Sequence, residues 1–294
     1  MPELPEVETV RRGLAPIMER ARFDRVEVRR PDLRAPFPPR FARRLAGRTV
    51  TALGRRGKYL TADLDDGNVL LMHLGMSGSF RIEADDGAAT IAGATYRPPG
   101  KRTTHDHVVF HMSSGVRIVF NDPRRFGLMD LAPRTNIDAS KRLREIGIDP
   151  LGNAFGADAL ATICAGRAAP IKAVLMDQRR IAGLGNIYAC EALWRARLSP
   201  ERPAATMATK RCRPTAAAQR LAEAIRAVLQ KAIAAGGSSL RDHIRATGEL
   251  GEFQHAFAVY DREGEPCLRP NCRGIIRRTV LSGRSTFYCP VCQR

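Results

Sequence analysis

Two cysteine pairs near the end of the chain have a spacing that suits a tetrahedral metal ion. Cys267 and Cys272 have four residues between them, and Cys289 and Cys292 follow sixteen residues later with two between them. Four thiolates form a closed shell around zinc, so such a site folds a module and does not catalyse. We therefore predict one structural Zn²⁺ and no organic cofactor. The total of seven cysteines is odd, which argues against a disulfide framework.

The N-terminus carries a second set of residues that could do chemistry. Removal of Met1 would leave Pro2 with a free secondary amine. An α-amino group has a pKa of about 7.7–8.0, against about 10.4 for lysine, so it is a usable nucleophile near neutral pH. Its attack on a sugar C1′ would give an iminium ion and allow phosphate to be eliminated. Glu3 could donate a proton and Glu6 lies one helical turn further on, although both carboxylates would also stabilise a helix dipole.

The charge of the chain indicates a polyanionic partner. Lys and Arg number 48 against 30 Asp and Glu, which gives a net charge of +18. Displacement of counterions from phosphate makes nucleic acid the favoured partner; a basic protein without a partner is the alternative. No apolar run approaches the roughly 20 residues that span a bilayer, and the N-terminus lacks the pattern of a signal peptide. We expect a cytoplasmic protein that does not bind membranes.

The elements that must position these groups fall into two regions. Apolar residues at three- and four-residue steps predict a helix over residues 2–18. Short β-like runs separated by turn signals follow between about 23 and 131 and favour a β-sandwich or barrel. The stretch 83–103 is polar and rich in Gly, and is predicted to be a surface insertion.

Helices are predicted for the second region. Residues 215–235 place apolar side chains on one face, with Thr215 as the N-cap and a Gly-Gly pair as the stop. Asn186 follows Gly183 and Gly185 at a helix start that could hold phosphate, or could be a simple helix cap. We predict an α+β multidomain protein with an N-terminal domain at 1–132, a linker at 133–150, a helical DNA-binding domain at 151–256 and a zinc finger at 257–294.

The N-terminal sequence PELPEVETVRRGL resembles that of the formamidopyrimidine-DNA glycosylase family. Four later stretches match the same family in order: GRRGKYL (54–60), HLGMSGS (73–79), NDPRRFG (121–127) and GLGNIYACEAL (183–193). The resemblance implies a β-sandwich with flanking helices, then a helix–two-turn–helix domain with the zinc finger. It also implies removal of oxidised purines from double-stranded DNA, followed by cutting of abasic sites through β- and δ-elimination.

The resemblance implies specific catalytic roles. Pro2 matches the family's Schiff-base nucleophile, Glu3 its proton donor, and Glu6 a supporting position. Lys58 resembles a lysine that assists catalysis and touches DNA phosphate. Arg284, at the tip of a hairpin predicted between the cysteine pairs, resembles an arginine assigned to δ-elimination and phosphate binding.

The resemblance also implies a DNA-binding set. Met76, Arg124 and Phe126 resemble a triad that intercalates where the damaged base has been flipped out; for Met76 and Phe126, ordinary core packing is the alternative. Backbone contacts with DNA are implied for further residues, namely His105, Arg167, Lys172 and Asn186. We expect a monomer, because one chain holds every part of the site.

Several positions depart from the family pattern. Asp261 stands where the family usually has Gly, and Glu252 replaces an expected Tyr in the stretch 247–253, which corresponds to a flexible loop over the flipped base. The first zinc pair has a longer knuckle. Two other classes stay open: an endonuclease VIII-like enzyme for oxidised pyrimidines, and a non-catalytic zinc-ribbon protein that binds nucleic acid.

Overall fold

A computed structural model describes residues 2–83, 103–238 and 253–294, and these residues divide into two units. The first unit draws on Met1–Arg144 and Ala235–Glu252, and the second on Glu145–Ala234 and Phe253–Arg294. The boundaries predicted from the sequence at 132, 150 and 256 stay predictions.

Helix α1 (Leu4–Met18) opens the first unit and confirms the helix predicted over residues 2–18. Its buried face consists of apolar side chains at three- and four-residue steps, namely Leu4, Val7, Val10, Leu14 and Met18. Pro5 lies in the first turn, where a missing N–H removes no helical hydrogen bond. The apolar stripe fixes which side of α1 faces the core, and thereby where the N-terminus lies.

Two antiparallel four-stranded sheets make up most of the first unit. One contains β1 (Phe23–Val28), β5 (Ser79–Glu83), β6 (Asp106–Met112) and β7 (Arg117–Asn121), in the order β1-β6-β7-β5. The other contains β2 (Val50–Arg56), β3 (Tyr59–Leu64), β4 (Asn68–His73) and β8 (Leu128–Pro133), in the order β2-β3-β4-β8. The short helix α2 (Phe41–Leu45) connects β1 to β2.

One hydrophobic core joins the two sheets and α1. It includes side chains of α1, of β1, β5, β6 and β7, and of β2, β3, β4 and β8, among them Val10, Phe23, Leu60, Met72, Phe110, Phe120 and Met129. The rings of Phe23 and Phe110 lie 5.3 Å apart. Two sheets that share one core form a sandwich, so the predicted β-sandwich is confirmed. Residues 84–102, most of the predicted insertion, lie outside the described residues.

Four helices form most of the second unit: α3 (Ala157–Cys164), α4 (Ile171–Met176), α5 (Asn186–Ala196) and α6 (Ala216–Ala234). Both α3 and α5 pack against α6. The backbone N–H of Ala218 donates to Thr215 Oγ1 at 3.3 Å, which confirms the predicted N-cap of α6. Within the described residues, no helix has both the length and the apolar character to cross a membrane.

The predicted hairpin between the cysteine pairs is confirmed. Strands β9 (Arg277–Leu281) and β10 (Arg284–Tyr288) pair antiparallel, with Leu281 opposite Arg284. The two turn residues, Ser282 and Gly283, have φ of 49° and 71°. Positive φ at both positions is typical of a type I′ turn, whose twist matches that of the strands. The turn therefore sets Arg284 at the tip.

Candidate active site

The N-terminus is held in a fixed place in the first unit. Pro2 is buried and directly precedes Glu3, which caps α1. The Glu3 side chain accepts the N–H of Glu6, and the N–H of Glu3 donates to Glu6 Oε2 at 2.8 Å. This reciprocal arrangement satisfies two backbone donors at the start of the helix. Pro2 and Glu3 are thus brought together with Glu6, while Met1 lies outside the described residues.

Glu6 also fixes a distant segment of the chain. Its Oε1 accepts the N–H of Ser238 at 2.9 Å and the hydroxyl of Ser238 at 3.2 Å. A Cβ on Gly237 would lie 3.0 Å from Glu6 Oε1, and Gly237 has a φ of 80°. A residue without a side chain therefore suits this close approach. The stretch 239–252, with Glu252 and most of the predicted lesion loop, lies outside the described residues; Phe253, which follows it, is buried.

Lys58 lies in the turn between β2 and β3 and is 7% exposed. Burial is the main cause that lowers the pKa of His73 to about 4, and the positive charges of Lys58 and Arg34 lower it further. His73 Nδ1 accepts the N–H of Gly75 at 2.9 Å, so this nitrogen carries no proton. The β2–β3 turn and the end of β4 thus present one buried cation near a neutral imidazole.

The three residues that the resemblance assigns to intercalation, Met76, Arg124 and Phe126, lie on two loops of the first unit. We call these residues the wedge, and the loops that carry them the wedge loops. Met76, after β4, is half-buried, whereas Arg124 and Phe126, between β7 and β8, are exposed. The guanidinium carbon of Arg124 lies 5.0 Å from the ring centre of Phe126, a cation–π arrangement. Phe126 is 44% exposed, which argues against ordinary core packing for this side chain. His105 is half-buried just before β6, with its ring 6.5 Å from that of His107.

In the second unit Asn186 begins α5 and its side chain is bonded on both sides. Its Oδ1 accepts from Lys172 Nζ at 2.6 Å, and its Nδ2 donates to the backbone oxygen of Ser285 at 2.9 Å. Lys172 is 1% exposed and also donates to Thr286 Oγ1 at 2.7 Å. Lys172 therefore joins the start of α5 to β10 at Thr286, two residues after Arg284.

Arg284 and Arg167 occupy different parts of the second unit. Arg284 is exposed at the tip of the hairpin. Arg167 is half-buried, and its Nε donates to the backbone oxygen of Ile163 at 2.6 Å. It lines a surface pocket of about 420 Å³ together with Asp177 and Arg180. Within the described part of the chain, no hydrogen bond joins Arg167 to Asn186 or Arg284.

The four cysteines of the tail converge as predicted. Their Sγ atoms all lie within 4.8 Å of one another, with Cys267 to Cys292 at 3.8 Å and Cys272 to Cys289 at 3.6 Å. Tetrahedral zinc with bonds of about 2.3 Å sets sulfur atoms roughly 3.8 Å apart, so the residues fit the ion. The zinc prediction is confirmed: the finger is built for one structural zinc.

One zinc ligand receives hydrogen bonds from outside the cysteine set. Burial opposes ionisation of Cys267, but hydrogen bonds with the indole N–H of Trp194, the backbone N–H of Arg269 and the thiols of Cys289 and Cys292 together outweigh it and lower the pKa of Cys267 to about 7. The guanidinium of Arg269 stacks on Trp194, 4.6 Å from the ring centre. Arg269 lies in the longer knuckle, so that extra length docks the finger on α5.

Sequence reasoning overlooked several residues that organise the site. Ser77 and Asp122 join the two wedge loops, and Ser238 contacts Glu6. Ser77 and Asp122 lie inside the matched motifs, but Ser before Gly and Asp before Pro are also ordinary turn residues, so the sequence did not single them out. Glu191 accepts the backbone N–H groups of 258–260 with its buried carboxylate. Burial raises the pKa of Glu191, and those N–H groups oppose the shift.

The fold and site define a DNA-binding protein of the helix–two-turn–helix class with a zinc finger. The chain matches the formamidopyrimidine-DNA glycosylase N-terminal domain over residues 1–129 and the H2TH domain of the same enzymes over 146–243. Residues 264–294 match a zinc finger found in FPG and IleRS. The chain belongs to the formamidopyrimidine-DNA glycosylase family.

Relatives match over the full length. A formamidopyrimidine-DNA glycosylase of Bradyrhizobium sp. (strain BTAi1) is 62% identical, and one of Rhodopseudomonas palustris (strain HaA2) is 61% identical, each with 100% of both chains covered. The MutM (Fpg) protein of Thermus thermophilus has a TM-score of 0.80 and 38% identity, covering 99% of this chain and 98% of that one. Lactococcus lactis Fpg bound to DNA with an abasic site has a TM-score of 0.82 and 31% identity, covering 99% of each.

Proposed function

We propose that the chain is a bifunctional DNA glycosylase and abasic-site lyase of base excision repair, which excises oxidised purines through Pro2. The observation that carries the proposal is the fixed N-terminus. Pro2 is buried, and the next residue is bonded to Glu6 through its N–H. The first residues of a chain are usually poorly ordered unless other groups hold them. A nucleophile must be held in position against its target, so an anchored Pro2 suits that role. The full-length identity to formamidopyrimidine-DNA glycosylases supports the same reading.

The first step joins Pro2 to the sugar after Met1 has been removed. The unprotonated Pro2 nitrogen attacks C1′, the N–C1′ bond forms and the glycosidic bond to the damaged base breaks. The base leaves with a proton, and Glu3 is proposed to supply a proton to the base or to the ring oxygen. Lys58 adds a buried positive charge that favours the approach of DNA phosphate. The product is an opened sugar held as an iminium ion on Pro2.

The second stage cuts the strand. The iminium withdraws electrons, so a proton leaves C2′ and the 3′ phosphate departs by β-elimination. Loss of a further proton allows the 5′ phosphate to leave by δ-elimination. Arg284, exposed at the hairpin tip, is proposed to bind phosphate and assist this proton transfer. Water then releases the sugar remnant from Pro2.

The damaged base must leave the duplex before it can be attacked. Met76 and Phe126 are proposed to fill the gap, and Arg124 to pair with the orphaned cytosine. An apolar wedge inserted between base steps is a known way to unstack bases. His105, Asn186 and Arg167 are proposed to contact the DNA backbone, and Lys172 is proposed to support that contact by holding Asn186. The zinc ion, held by the four cysteines, folds the finger that carries Arg284.

We further propose that the enzyme acts as a monomer in the cytoplasm, in association with nucleoid DNA. DNA as substrate supports this location. The charge of +18 supports binding that weakens steeply with salt.

Covalent trapping tests the proposal directly. The protein is incubated with a duplex that contains 8-oxoguanine opposite cytosine, and borohydride reduces any iminium to a stable amine. We expect a protein–DNA adduct on the peptide that begins at Pro2. The same trapping is repeated with a duplex that contains an oxidised pyrimidine, because the structure of Lactococcus lactis Fpg has been solved with such a DNA.

Two variants assign the roles. Glu3→Gln should lose trapping on 8-oxoguanine but keep trapping on a preformed abasic site, since that site no longer needs base departure. Glu263→Gln, which alters an exposed carboxylate of the second unit, is the matched control. Native protein that binds the duplex without forming an adduct, or a mature chain that retains Met1, would contradict the mechanism.

A further inference from the structure

The backbones of the two wedge loops touch without intervening side chains. A Cβ on Gly75 would lie 2.3 Å from the backbone carbon of Phe126 and 2.5 Å from the nitrogen of Gly127. Real Cβ atoms do not approach this closely, so only glycine fits at residue 75, where φ is 65°. The loop that carries Met76 therefore rests directly on the loop that carries Phe126.

The fully buried carboxylate of Asp122 holds the two loops together through hydrogen bonds, and we call Asp122 and Ser77 the lock. Asp122 is 0% exposed. Its Oδ1 accepts from Ser77 Oγ at 2.6 Å, and its Oδ2 accepts the N–H of Gly127 at 2.7 Å. The first bond reaches the residue after Met76, and the second reaches the residue after Phe126. One side chain thus binds both loops at the points where the wedge residues emerge.

Ser77 extends the lock to the third wedge residue. Its hydroxyl donates to Asp122 and accepts the backbone N–H of Arg124 at 3.2 Å. Hydrogen bonds therefore hold the wedge loop on both sides of Phe126. This keeps Arg124 and Phe126 in register, with the guanidinium above the ring.

The backbone of Asp122 anchors the lock to the sheet. Its N–H donates to the backbone oxygen of His105 at 3.0 Å. Its backbone oxygen lies 2.9 Å from Nε2 of the buried His107, which must donate here because a carbonyl can only accept. Asp122 is thereby bonded to three different segments of the first unit.

We propose that Asp122 is a positioning residue that acts through Ser77 to keep Met76, Arg124 and Phe126 assembled before DNA arrives. This proposal rests on the proposed function of those three residues as a wedge. A loop that is ordered in advance does not lose conformational freedom on binding. A buried carboxylate is costly unless it is fully hydrogen-bonded, and here its directional bonds set the geometry of the loops. The lock therefore controls filling of the gap and reading of the opposite base, and leaves the chemistry at Pro2 untouched.

Fluorescence of a base analogue measures gap filling without any chemistry. We place 2-aminopurine opposite a non-cleavable abasic analogue in a duplex, and compare native protein with Ser77→Ala and Asp122→Asn at saturating concentration. The native wedge should unstack the analogue and raise its emission. Ser77→Ala removes one hydroxyl and keeps the fold, so it tests the proposal even where Asp122→Asn folds poorly. Both variants should lose at least half of the rise in emission.

Steady-state cleavage separates a positioning role from a general loss of structure. On an 8-oxoguanine:cytosine duplex, kcat/KM should fall about 10- to 100-fold for Asp122→Asn, as expected for a misplaced contact. Cleavage of a single-stranded abasic oligonucleotide, which has no opposite base, should change less than about threefold. The preference for cytosine over adenine opposite the lesion should fall in the same variants. Asp130→Asn, a half-buried aspartate on β8 bonded to Arg142, is the control and should behave as native protein.

A double variant tests whether Asp122 acts through Ser77. Ser77→Ala in the Asp122→Asn background should add less than about twofold to the loss, whereas independent roles would multiply. Equal losses on duplex and single-stranded substrates, or native emission and native base preference in Ser77→Ala, would overturn the proposal. Failure of the proposed function itself would show differently, as native protein that gives no borohydride adduct with the single-stranded abasic oligonucleotide.

Discussion

Lys172 and Asn186 are joined by a hydrogen bond of 2.6 Å between Nζ and Oδ1. Both residues belong to the second unit, and Lys172 is 1% exposed. The family resemblance assigned both residues to the DNA backbone. In the structure Lys172 also has a structural task, since its ammonium bonds Thr286 and so ties the start of α5 to β10. One hydrogen of the Asn186 amide donates to the backbone oxygen of Ser285, and the other makes only a long contact of 3.5 Å to the Tyr260 hydroxyl. This second hydrogen can turn to a ligand while Lys172 holds the side chain in place.

Replacement of Lys172 should weaken DNA binding without changing its salt dependence. Lys172→Met removes the ammonium that donates to Asn186, Ser285 and Thr286. We expect Kd for an abasic-analogue duplex to rise about tenfold. A buried ammonium neutralises no phosphate, so the slope of log Kd against log salt should stay unchanged. Fluorescence anisotropy over a salt series measures both quantities. The control is Lys231→Met, an exposed lysine of α6; a slope that falls by about one in Lys172→Met would instead indicate a direct phosphate contact.

Zinc retention should depend on the contact between Trp194 and the finger. The indole N–H of Trp194 lies 3.4 Å from Cys267 Sγ, and Arg269 covers its ring. Groups that bond to metal ligands typically change metal affinity by about 10- to 100-fold. We therefore expect Arg269→Ala to release zinc to a chromogenic chelator about tenfold faster, with Arg273→Ala, an exposed arginine of the finger, as the control.

The chain has a single tryptophan, so Trp194 also reports on the metal. Chelation of zinc should change its emission and weaken DNA binding in parallel, since the finger carries Arg284. The β-sandwich should retain its circular dichroism signal. DNA binding that survives verified loss of zinc would show that the finger makes no contact with DNA.

His73 should make stability depend on pH between about 4 and 6.5. In the folded protein burial lowers its pKa to about 4, whereas an unfolded chain has the ordinary value near 6.5. Within this window the unfolded state binds more protons, so stability rises with pH and is lost as pH falls. This difference in pKa between the folded and unfolded states lowers the free energy of unfolding by about 2 kcal/mol at pH 5, relative to neutral pH.

An asparagine at position 73 removes the titration and keeps an acceptor for the N–H of Gly75. We expect the free energy of unfolding in urea to drop less between pH 7.5 and pH 5 in His73→Asn than in native protein. His255→Asn, which replaces an exposed histidine in the second unit, is the matched control. The same pH dependence in His73→Asn and native protein would assign the acid sensitivity to other groups.

Local patterns predicted the elements and the zinc site well. Helix α1 and the β-sandwich follow from the periodicity of apolar residues along the chain, because apolar side chains are usually the buried ones. The four cysteines were identifiable because metal ligands require a narrow spacing. In each case the signal lies within a short stretch of sequence.

Contacts between distant loops could not be predicted in the same way. Glu6 and Ser238 lie 232 residues apart, and Ser77 and Asp122 lie 45 apart. No periodicity links such pairs, since each bond depends on how the sandwich folds. The burial of Lys172 could not be predicted either: a lysine is normally exposed, and the groups on α5 and β10 that accept from its ammonium lie 14 and 114 residues away. The motifs located these residues, and the structure supplied their partners.

The family resemblance predicts glycine at the position of Asp261, and the backbone conformation there is one that suits glycine. Its φ of 59° lies in the left-handed region. Most side chains pay roughly 1–2 kcal/mol there, while Asp and Asn adopt it more readily than other residues. Asp261→Ala should therefore lower the free energy of unfolding by about 1 kcal/mol. Asp261→Gly should stay within about 0.5 kcal/mol of native protein, because relief of strain is offset by the greater freedom of glycine in the unfolded chain.

Urea denaturation of both variants checks this ordering. Glu263→Ala, two residues further along and outside the left-handed region, is the control and should resemble native protein to within about 0.5 kcal/mol. Equal destabilisation by alanine and glycine at position 261 would mean that the carboxylate itself stabilises the turn. The ordering predicted here instead assigns the effect to the backbone, so that aspartate serves at this position as an acceptable substitute for glycine ahead of the zinc finger.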